Sequence, residues 1–315
     1  MISVVGEVVA DLVEQADGGF LAHPGGSPAN VSLGVARLGH DVALLARFGP
    51  DVFGRRARAH LAASGVGLST AVDAVQPSTL AVASMDHLGR AAYDFWTEGT
   101  ADWQWSDAEL APALGPRVRA LHTGSLASWT PPGAAAVRRL LQRAHEGAAT
   151  TVSYDPNVRP SLLGSPETAR SLVEPLVALA HVVKASDEDL AWLYPGLSAG
   201  AAAARLLTLG PALVVVTLGA DGALARRGTD ELTVPAPTVL VADTVGAGDT
   251  FTAGLLHALA ERDRLGPDPR DRLAAMPVEE LGSVLRVAVA AAALTCSRHG
   301  CDPPTSAELN AYLSG

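Results

Sequence analysis

The sequence contains little cysteine, lysine or aromatic side chain. Its 315 residues include two cysteines, Cys296 and Cys301, one lysine, Lys184, and 4% aromatic residues. Two cysteines supply neither a disulfide framework nor the four ligands of a structural zinc site. Because the other 22 of the 23 lysine and arginine positions are arginine, the single lysine is a candidate for a specific function.

Positive charge is scarce as well. The formal net charge is −10, and no run of basic residues occurs anywhere in the chain. Nucleic-acid binding needs a stripe of Lys and Arg that displaces counterions, so a nucleic-acid partner is not expected. An anionic substrate would have to bind at a local positive site.

Long apolar runs are also missing. The longest, at 287–296, is too short to cross a bilayer, and the N-terminal residues 1–7 lack the basic region of a signal peptide. We therefore expect a cytoplasmic protein without a membrane partner.

Apolar runs alternate with helix-like stretches along most of the chain. Runs typical of buried strands lie at 2–9, 42–48, 118–122, 151–154, 181–183 and 212–217. Stretches typical of helices lie at 28–38, 54–63, 133–145, 168–179, 199–207, 247–261 and 278–298. The Pro-, Asp- and Arg-rich segment 263–277 predicts a surface loop. This alternation predicts one α/β domain over residues 1–315, with a mainly parallel central sheet flanked by helices.

Local signals refine two of these segments. Ser27 followed by Pro28 predicts the N-cap and first residue of a helix, and Gly39 predicts its end. Residues 79–85 and 90–96 flank a turn-like segment at 86–89, which predicts a β-hairpin attached to the main domain.

The segment from Asp243 to Gly254, with the sequence DTVGAGDTFTAG, is the sharpest chemical motif. Its glycines let backbone N–H groups approach an anion, and a helix that begins there adds its positive end. Asp249 would then lie beside the anion and could accept a proton from a substrate hydroxyl. From spacing alone, a capped helix that uses glycine for close packing is an equally good interpretation.

Common nucleotide-binding motifs are missing. Lys184 is followed by Ala185, so no Walker loop is present, and no strand leads into a Gly-x-Gly-x-x-Gly helix start. The His-Arg-Asp and Asp-Phe-Gly motifs of protein kinases are missing too. Any ATP must therefore bind in another way.

Two long motifs resemble the signatures of ribokinase (PfkB-type) carbohydrate kinases. Residues 25–39, GGSPANVSLGVARLG, are similar to the N-terminal signature, and residues 243–251 are similar to the C-terminal one. The resemblance covers essentially the whole chain. It implies a ribokinase-like three-layer sandwich with a small β-sheet lid formed by about 7–20 and 79–97.

The resemblance also implies roles for individual residues. Asp249 would be the catalytic base, and Gly246, Ala247 and Gly248 would form the anion hole, with Gly248 also contacting the nucleotide. The sugar hydroxyls would be held by Asp11, Gly26 and Asn30. Taken alone, Asp11 is more simply a turn residue at the end of a strand.

Residues 155–160, DPNVRP, resemble a segment of fructokinases and 2-keto-3-deoxygluconate kinases. Arg159 could pair with ATP phosphates or with an acidic substrate, since its planar fork suits both; a surface arginine is the simpler alternative. Many family members have Asn-x-x-Glu near Lys184, where this chain has Ser186 and Asp189. The resemblance makes Lys184 a nucleotide-binding candidate and Asp189 a candidate metal ligand, although the departure weakens the metal assignment.

Further nucleotide contacts follow from the resemblance. Thr217, Gly219 and Gly222 belong to a segment that resembles the family's nucleotide loop, although alone it reads as a glycine-rich hairpin. Residues 290–295 would line the adenine. Asp243 and Val245, with Gly300 nearby, would hold a monovalent cation such as K⁺.

Aromatic side chains of the predicted lid, Tyr93, Phe95 and Trp96, would face the sugar or a partner subunit of a homodimer. Equally, they could form the core of the lid itself. A closed lid would exclude water from the site.

The expected activity is Mg²⁺-dependent transfer of the γ-phosphate of ATP to a sugar hydroxyl. Fructokinase is the first choice, and 2-keto-3-deoxygluconate kinase and ribokinase-type activity are alternatives. A non-catalytic sugar- or nucleotide-binding protein is the alternative from a different class. Such a protein would be expected to lack Asp249 or the anion-hole glycines, and this sequence has both. An oligomeric scaffold would need neither motif.

Overall fold

The computed structural model describes residues 1–15, 17–85 and 91–315. The strands are Ile2–Val5 (β1), Val9–Glu14 (β2), Phe20–Gly25 (β3), Val42–Leu45 (β4), Arg47–Phe48 (β5), Val72–Asp73 (β6), Leu80–Met85 (β7), Ala91–Trp96 (β8), Ala120–Gly124 (β9), Thr151–Asp155 (β10), Val182–Ser186 (β11), Leu213–Thr217 (β12), Ala223–Arg227 (β13) and Asp230–Val234 (β14). The α-helices are Ser27–Arg37 (α1), Val52–Ala63 (α2), Asp107–Leu110 (α3), Ser125–Trp129 (α4), Ala134–Gly147 (α5), Pro160–Leu163 (α6), Pro166–Val177 (α7), Asp187–Leu193 (α8), Ala199–Leu207 (α9), Ala247–Glu261 (α10), Pro269–Ala274 (α11), Val278–Cys296 (α12) and Ser306–Ser314 (α13).

The central sheet has eight strands in the order β14-β13-β12-β11-β10-β9-β1-β4. The six strands from β12 to β4 pair in parallel, and β13 and β14 add an antiparallel edge. Because parallel strands need crossover connections, helices cover both faces of the sheet. The predicted mainly parallel α/β architecture is confirmed.

Two apolar cores separate the three layers. One core joins one sheet face to α1, α2, α10 and α12, with Val31, Leu255 and Leu285 fully buried. The other joins the opposite face to α5, α7, α8 and α9, with Leu140 and Val173 among its buried side chains. No helix of the described ranges has both the length and the apolarity that crossing a membrane requires.

The second sheet is small and has the strand order β3-β2-β7-β8. Strands β7 and β8 pair antiparallel, which confirms the predicted hairpin, while its turn at 86–89 lies outside the described residues. Strand β3 extends the small sheet beyond residue 20, where the first predicted lid segment ends, up to Gly25.

Three predicted boundaries are wrong. The run 2–9 is split between the two sheets, with β1 ending at Val5 and β2 beginning at Val9. The chain crosses between them at Gly6, which packs so closely on Pro28 that a Cβ there would collide. The run 42–48 likewise divides into β4 and β5. The predicted loop 263–277 contains α11, which buries Leu273 against the first core.

Candidate active site

The carboxyl ends of the parallel strands place several candidate residues at one edge of the central sheet. Strand β10 ends at Asp155, β11 at Ser186 and β12 at Thr217. In register, Ser186 lies opposite Thr217, and Lys184 lies two residues before the end of β11. Ligands bind at this edge in open α/β sheets, outside the carboxyl ends of the strands.

Helix α10 begins at this edge with the predicted anion hole. Its N-cap, Gly246, has φ 73°, a left-handed conformation that side chains rarely adopt, and a Cβ there would collide with the Sγ of Cys301. The first N–H groups of a helix have no acceptor within it and point outward with the positive end of the helix dipole. This start of α10 therefore has the geometry of an anion-binding site.

Asp249 lies in the first turn of α10 and is held by two side chains of α1. Its Oδ1 accepts a hydrogen bond from the Ser27 hydroxyl at 2.6 Å, and its Oδ2 accepts one from the Asn30 amide at 2.8 Å. The starts of two helices more than 200 residues apart in sequence thus meet at one carboxylate. With both oxygens held, the carboxylate has a fixed orientation.

Ser27 was misassigned from the sequence. The helix N-cap is Gly26, and Ser27 is the first helical residue, so its hydroxyl is available to Asp249. The bond joins segments far apart in the chain, and local capping rules carry no signal for such a contact.

Asp11 approaches Asp249 from the small sheet. Burial and the nearby charge of Asp249 together raise the pKa of Asp11 to about 7, against the opposing charge of Arg159. A Cβ on Gly25 would collide with the Asp11 carboxylate, and one on Gly26, at φ 101°, would lie 2.6 Å from the carbonyl oxygen of Glu7. The two glycines therefore let β2 and the start of α1 come together, which places Asp11 near Asp249.

Arg159 is half-buried, and its guanidinium is bonded to the two residues that precede it. Its Nη1 donates to the Asn157 side-chain oxygen at 2.9 Å and to the Val158 carbonyl at 3.0 Å. Asn157 itself has φ 40°, and its N–H donates to Asp155. The positive charge of Arg159 acts to lower the pKa of Asp11, and pairing of Arg159 with ATP or with an acidic substrate stays a prediction.

Lys184 is a buried cation behind the start of α10. Its Nζ lies 3.0 Å from the Asp155 Oδ2 and 3.0 Å from the position that a Cβ on Gly248 would occupy. Burial alone would lower the pKa of Lys184, but the charges of Asp155, Asp189 and Asp249 outweigh burial and raise it. The ammonium group stays charged and adds positive potential at the predicted anion hole.

Asp189, the candidate metal ligand, is already bonded to backbone. Its Oδ1 accepts the Val158 N–H at 2.9 Å and its Oδ2 accepts the Ser186 N–H at 3.1 Å. The Asp189 N–H in turn donates to the Ser186 hydroxyl oxygen, which completes a capping box at the start of α8. The side chain therefore joins the 155–159 segment to α8, and metal binding by it stays a prediction.

The predicted nucleotide loop follows β12. The Thr217 hydroxyl lies 3.5 Å from the Ala185 carbonyl, and Gly219 has φ 55°. Gly222 has φ 99°, and a Cβ there would collide with the Val234 carbonyl. The structure thus gives Gly222 a packing role against the end of β14, and its nucleotide role stays a prediction.

Asp243 connects the two loops of the predicted cation site. Its Oδ1 accepts the Val245 N–H at 3.0 Å and its Oδ2 accepts the Gly300 N–H at 2.9 Å. Partial burial would raise the pKa of Asp243, but these backbone bonds lower it below its usual value. The carboxylate is therefore ionised, and it holds Val245 and Gly300 near each other.

Sequence reasoning missed two buried acids behind β2. Glu7 accepts the Ala127 N–H at 3.0 Å, and Asp102 accepts the Val8 N–H at 2.8 Å and the Thr79 hydroxyl at 2.6 Å. Burial raises the pKa of Glu7 to about 7 and that of Asp102 to about 6. They fix the crossing from the central sheet to the small one. For Glu7, an acidic residue inside the apolar run 2–9 could have indicated a buried acid.

Phe95 lies on the same face of the small sheet as Asp11. Asp11 pairs with Ala81, and Ala81 pairs with Phe95, and directly paired residues share a face. Phe95 is half-buried and packs against the second core, whereas Trp96 is 54% exposed on the opposite face. Trp96 therefore does not face the sugar site, and the side chain of Tyr93 lies outside the described residues.

Comparison with known proteins assigns the family. Residues 1–308 match the family described as "pfkB family carbohydrate kinase". The fructokinase of Rhizobium leguminosarum bv. trifolii is 35% identical over 86% of this chain and 87% of its own length. The fructokinase of Klebsiella pneumoniae is 37% identical over 82% of this chain and 84% of its own length.

Solved structures agree with this assignment. The fructokinase of Xylella fastidiosa with bound ATP has a TM-score of 0.90 at 28% identity, covering 99% of this chain and 98% of that one. A double mutant of the Vibrio cholerae O395 fructokinase, bound to fructose, ADP and a potassium ion, has a TM-score of 0.85 at 28% identity, covering 99% and 97%.

The match over nearly the whole chain, together with the site at the start of α10, defines a phosphotransferase class. The chain belongs to the pfkB family of carbohydrate kinases. Its fold is ribokinase-like, and its similarity is to fructokinases in particular. The predicted family and fold are confirmed.

Proposed function

We propose that the protein transfers the γ-phosphoryl group of ATP to a hydroxyl group of fructose, with Asp249 as the catalytic base. The observation that carries the proposal is the Asp249 carboxylate, fixed by Ser27 and Asn30 in the first turn of α10, directly beside the glycine-built anion site. The similarity to fructokinases over more than four fifths of the chain supports fructose as the acceptor.

In this mechanism the acceptor hydroxyl gives its proton to Asp249 as its oxygen bonds to the γ-phosphorus. The bond from that phosphorus to the β–γ bridging oxygen breaks, and ADP leaves with the electron pair. The N–H groups of Gly246 and Gly248 and the ammonium of Lys184 stabilise negative charge on the transferred group. The Ala247 N–H donates to the Thr244 carbonyl at 3.2 Å. Since the transition state of phosphoryl transfer is loose, positioning contributes more than base strength.

The proposed sugar site lies between the small sheet and the start of α1. Asp11 and Asn30 bind acceptor hydroxyls, Gly26 lets the ring approach the backbone, and Phe95 covers the face that it shares with Asp11. Asn30 would bind the sugar while it donates to Asp249, since an amide nitrogen has two hydrogens. One side chain would thereby link acceptor and base.

Arg159 favours a second candidate, 2-keto-3-deoxygluconate. Its guanidinium is close enough to Asp11 to counteract the increase in the pKa of that acid, so it lies near the proposed sugar site. A substrate carboxylate could pair with it. In the fructokinase proposal the same group pairs with ATP phosphates or balances Asp11.

ATP would bind along the carboxyl edge of β11 and β12, with Lys184, Thr217, Gly219, Gly222 and Gly248 nearest the phosphates and ribose. Mg²⁺ would neutralise phosphate charge. Asp189 fits poorly as its direct ligand, because both of its oxygens accept backbone N–H groups and the residue is 9% exposed. We therefore propose that Mg²⁺ is held mainly through the nucleotide.

A K⁺ site is proposed at the loops joined by Asp243. Its ionised carboxylate holds the backbone of Val245 and Gly300 together, and carbonyl oxygens of such loops suit a monovalent cation. The potassium ion in the Vibrio cholerae relative supports this assignment.

The test is a coupled assay of ADP release with MgATP and separate samples of fructose, 2-keto-3-deoxygluconate, ribose and adenosine. The proposal expects the highest kcat/KM with fructose and loss of turnover in Asp249→Asn. A preference for 2-keto-3-deoxygluconate would replace the substrate assignment. ATP-dependent phosphorylation of none of these acceptors would contradict the proposed activity.

A further inference from the structure

The far ends of α1 and α10 bring three side chains with metal-binding atoms together. His40 follows α1, and His257 and Glu261 lie one turn apart on α10. One ligand atom from each residue lies within 4.8 Å of the other two. Among the described residues this is the group of His, Cys, Asp and Glu side chains with such spacing, and it is remote from Asp249 along α10.

The geometry of the cluster is close to that of a chelate. The His40 Nε2 and the His257 Nδ1 share a hydrogen bond at 2.7 Å, which a bound ion would replace, and the His40 Nε2 lies 4.0 Å from the Glu261 Oε1. Two imidazole nitrogens on a tetrahedral Zn²⁺ ion are about 3.3 Å apart, given bonds of roughly 2.0–2.1 Å. Small side-chain rotations would lengthen the distance between the two nitrogens and bring the Glu261 carboxylate within bonding distance of the same ion.

We propose that His40, His257 and Glu261 form a binding site for a divalent transition-metal ion of the Zn²⁺ type. Two imidazoles and one carboxylate are the ligand set that such ions prefer over Mg²⁺ or Ca²⁺, which select oxygen. A water molecule completes the tetrahedron from the solvent side, where the Glu261 side chain is 60% exposed.

The protonation of the cluster is compatible with this role. Burial and the neighbouring His40 together lower the pKa of His257 to about 4, and burial also lowers the pKa of His40. Both rings are therefore neutral at neutral pH, which is the state that binds metal. The positive charges of the N-terminal amino group and of Arg262 also lower the histidine pKa values, and the carboxylate of Glu261 partly offsets this decrease.

The site would tie the two helices that hold the catalytic carboxylate. Ser27 and Asn30 of α1 meet Asp249 at one end, and His40 meets His257 at the other. His257 lies eight residues after Asp249, about 12 Å along the helix. A bound ion would therefore stabilise the pair of helices from the end opposite the reaction.

The test uses the full chain, stripped with a chelator and kept free of nucleotide, with excess Mg²⁺ to occupy oxygen sites. Co²⁺ is titrated while the visible absorption of tetrahedral cobalt is recorded, and Zn²⁺ is then added to displace it. The proposal expects one Co²⁺ per chain and a higher Tm with Zn²⁺. An unchanged spectrum, or Co²⁺ binding that Zn²⁺ does not displace, would overturn it.

Variants locate the ion. His257→Ala and His40→Asn should lose the cobalt spectrum and the Tm increase. Glu261→Gln should bind at least about tenfold more weakly, since even groups behind metal ligands contribute 10- to 100-fold. The exposed His60 provides a matched control, and His60→Ala should behave as the unmodified protein. Because Glu261 is mostly exposed, its variant should fold in any case. Equal binding by all variants would place the ion elsewhere and refute the site.

Discussion

At the scale of single residues, the fixed orientation of Asp249 accounts for its proposed reactivity. We expect Asp249→Asn to lower kcat by about 10²- to 10⁴-fold, the range of general acid–base groups, because an amide cannot take the proton. Ser27→Ala removes one orienting bond and leaves the carboxylate, so its effect should be smaller. Steady-state rates and circular dichroism of both variants check this prediction. Turnover of Asp249→Asn close to that of the unmodified protein would contradict the assignment of the base.

The pKa of Asp11 predicts a pH-dependent affinity for sugar. The acid binds hydroxyls best when ionised, and its pKa is raised to about 7, so KM for the sugar should fall as pH rises through that value. Asp11→Asn should raise KM by roughly 10- to 150-fold, the loss of a hydrogen bond to a charged group, about 1.5–3 kcal/mol.

The variant also separates Asp11 from Glu7, whose pKa is raised to a similar value. KM for the sugar, measured across the pH range, should lose its pH dependence in Asp11→Asn. If the dependence persists unchanged, Asp11 is not its source. Stability should follow the opposite sign: a raised carboxyl pKa favours the folded state at low pH, and that contribution is lost as pH rises through about 7.

At the scale of elements, the start of α10 depends on Gly246. Gly246→Ala combines a left-handed φ with a collision against Cys301, and strained backbone of this kind costs about 1–3 kcal/mol. We expect a lower free energy of unfolding and a marked loss of kcat, since the N–H groups at 246–248 move. Denaturant unfolding and rates measure the two effects.

Gly228 provides the matched control. It also has a positive φ, 54°, but a Cβ there meets open space, and it lies in the turn between β13 and β14. Gly228→Ala should cost some stability and leave kcat unchanged. Equal losses of kcat in the two variants would mean that backbone strain, and not the anion site, sets the rate.

The ends of β10 and β11 share one buried ion pair. Lys184→Met would leave Asp155, Asp189 and Asp249 without their common cation, and breaking a buried pair costs about 3–5 kcal/mol. Adding Asp155→Asn should restore part of this loss, because it removes one of the uncompensated charges. Unfolding of the single and double variants tests the coupling, and strictly additive losses would contradict it.

At the scale of the whole molecule, exposed apolar side chains on the small sheet lead us to predict a homodimer through that sheet. Val13 is 37% and Leu21 51% exposed, and they pair across β2 and β3 on the face that carries Asp11. We expect Leu21→Glu to dissociate a dimer, as measured by light scattering during gel filtration. Leu197, 45% exposed and outside that sheet, gives the control variant Leu197→Glu. A monomeric unmodified protein would refute the dimer.

The sequence predicts seven of the thirteen described α-helices, each from a local pattern, and misses α3, α4, α6, α8, α11 and α13. Helix α9 and helix α10 have the predicted bounds, and the predicted start of α10 places Asp249 in its first turn, while its catalytic role stays a prediction. Boundaries that depend on distant packing were missed: the run 2–9 divides where Gly6 meets Pro28, and α11 is a single short stretch held by one buried leucine.

Contacts between distant segments also limit how much of the site the sequence can predict. The bond from Ser27 to Asp249 and the burial of Glu7 and Asp102 depend on which elements meet in space. Nothing in the neighbouring residues of Ser27 distinguishes a hydroxyl that caps a helix from one that orients a carboxylate more than 200 positions away.

The chain passes from β3, an edge strand of the small sheet that ends at Gly25, into α1 at Ser27, with Gly26 alone between them. A rotation of that sheet would therefore move backbone next to the hydroxyl that orients Asp249. A sugar held by Asp11 on one side and Asn30 on the other would bridge this junction and stop the rotation. Binding of the acceptor would thus hold the Asp249 carboxylate in its reactive orientation. ATP that binds while the sugar site is empty would find no hydroxyl from which Asp249 could take a proton.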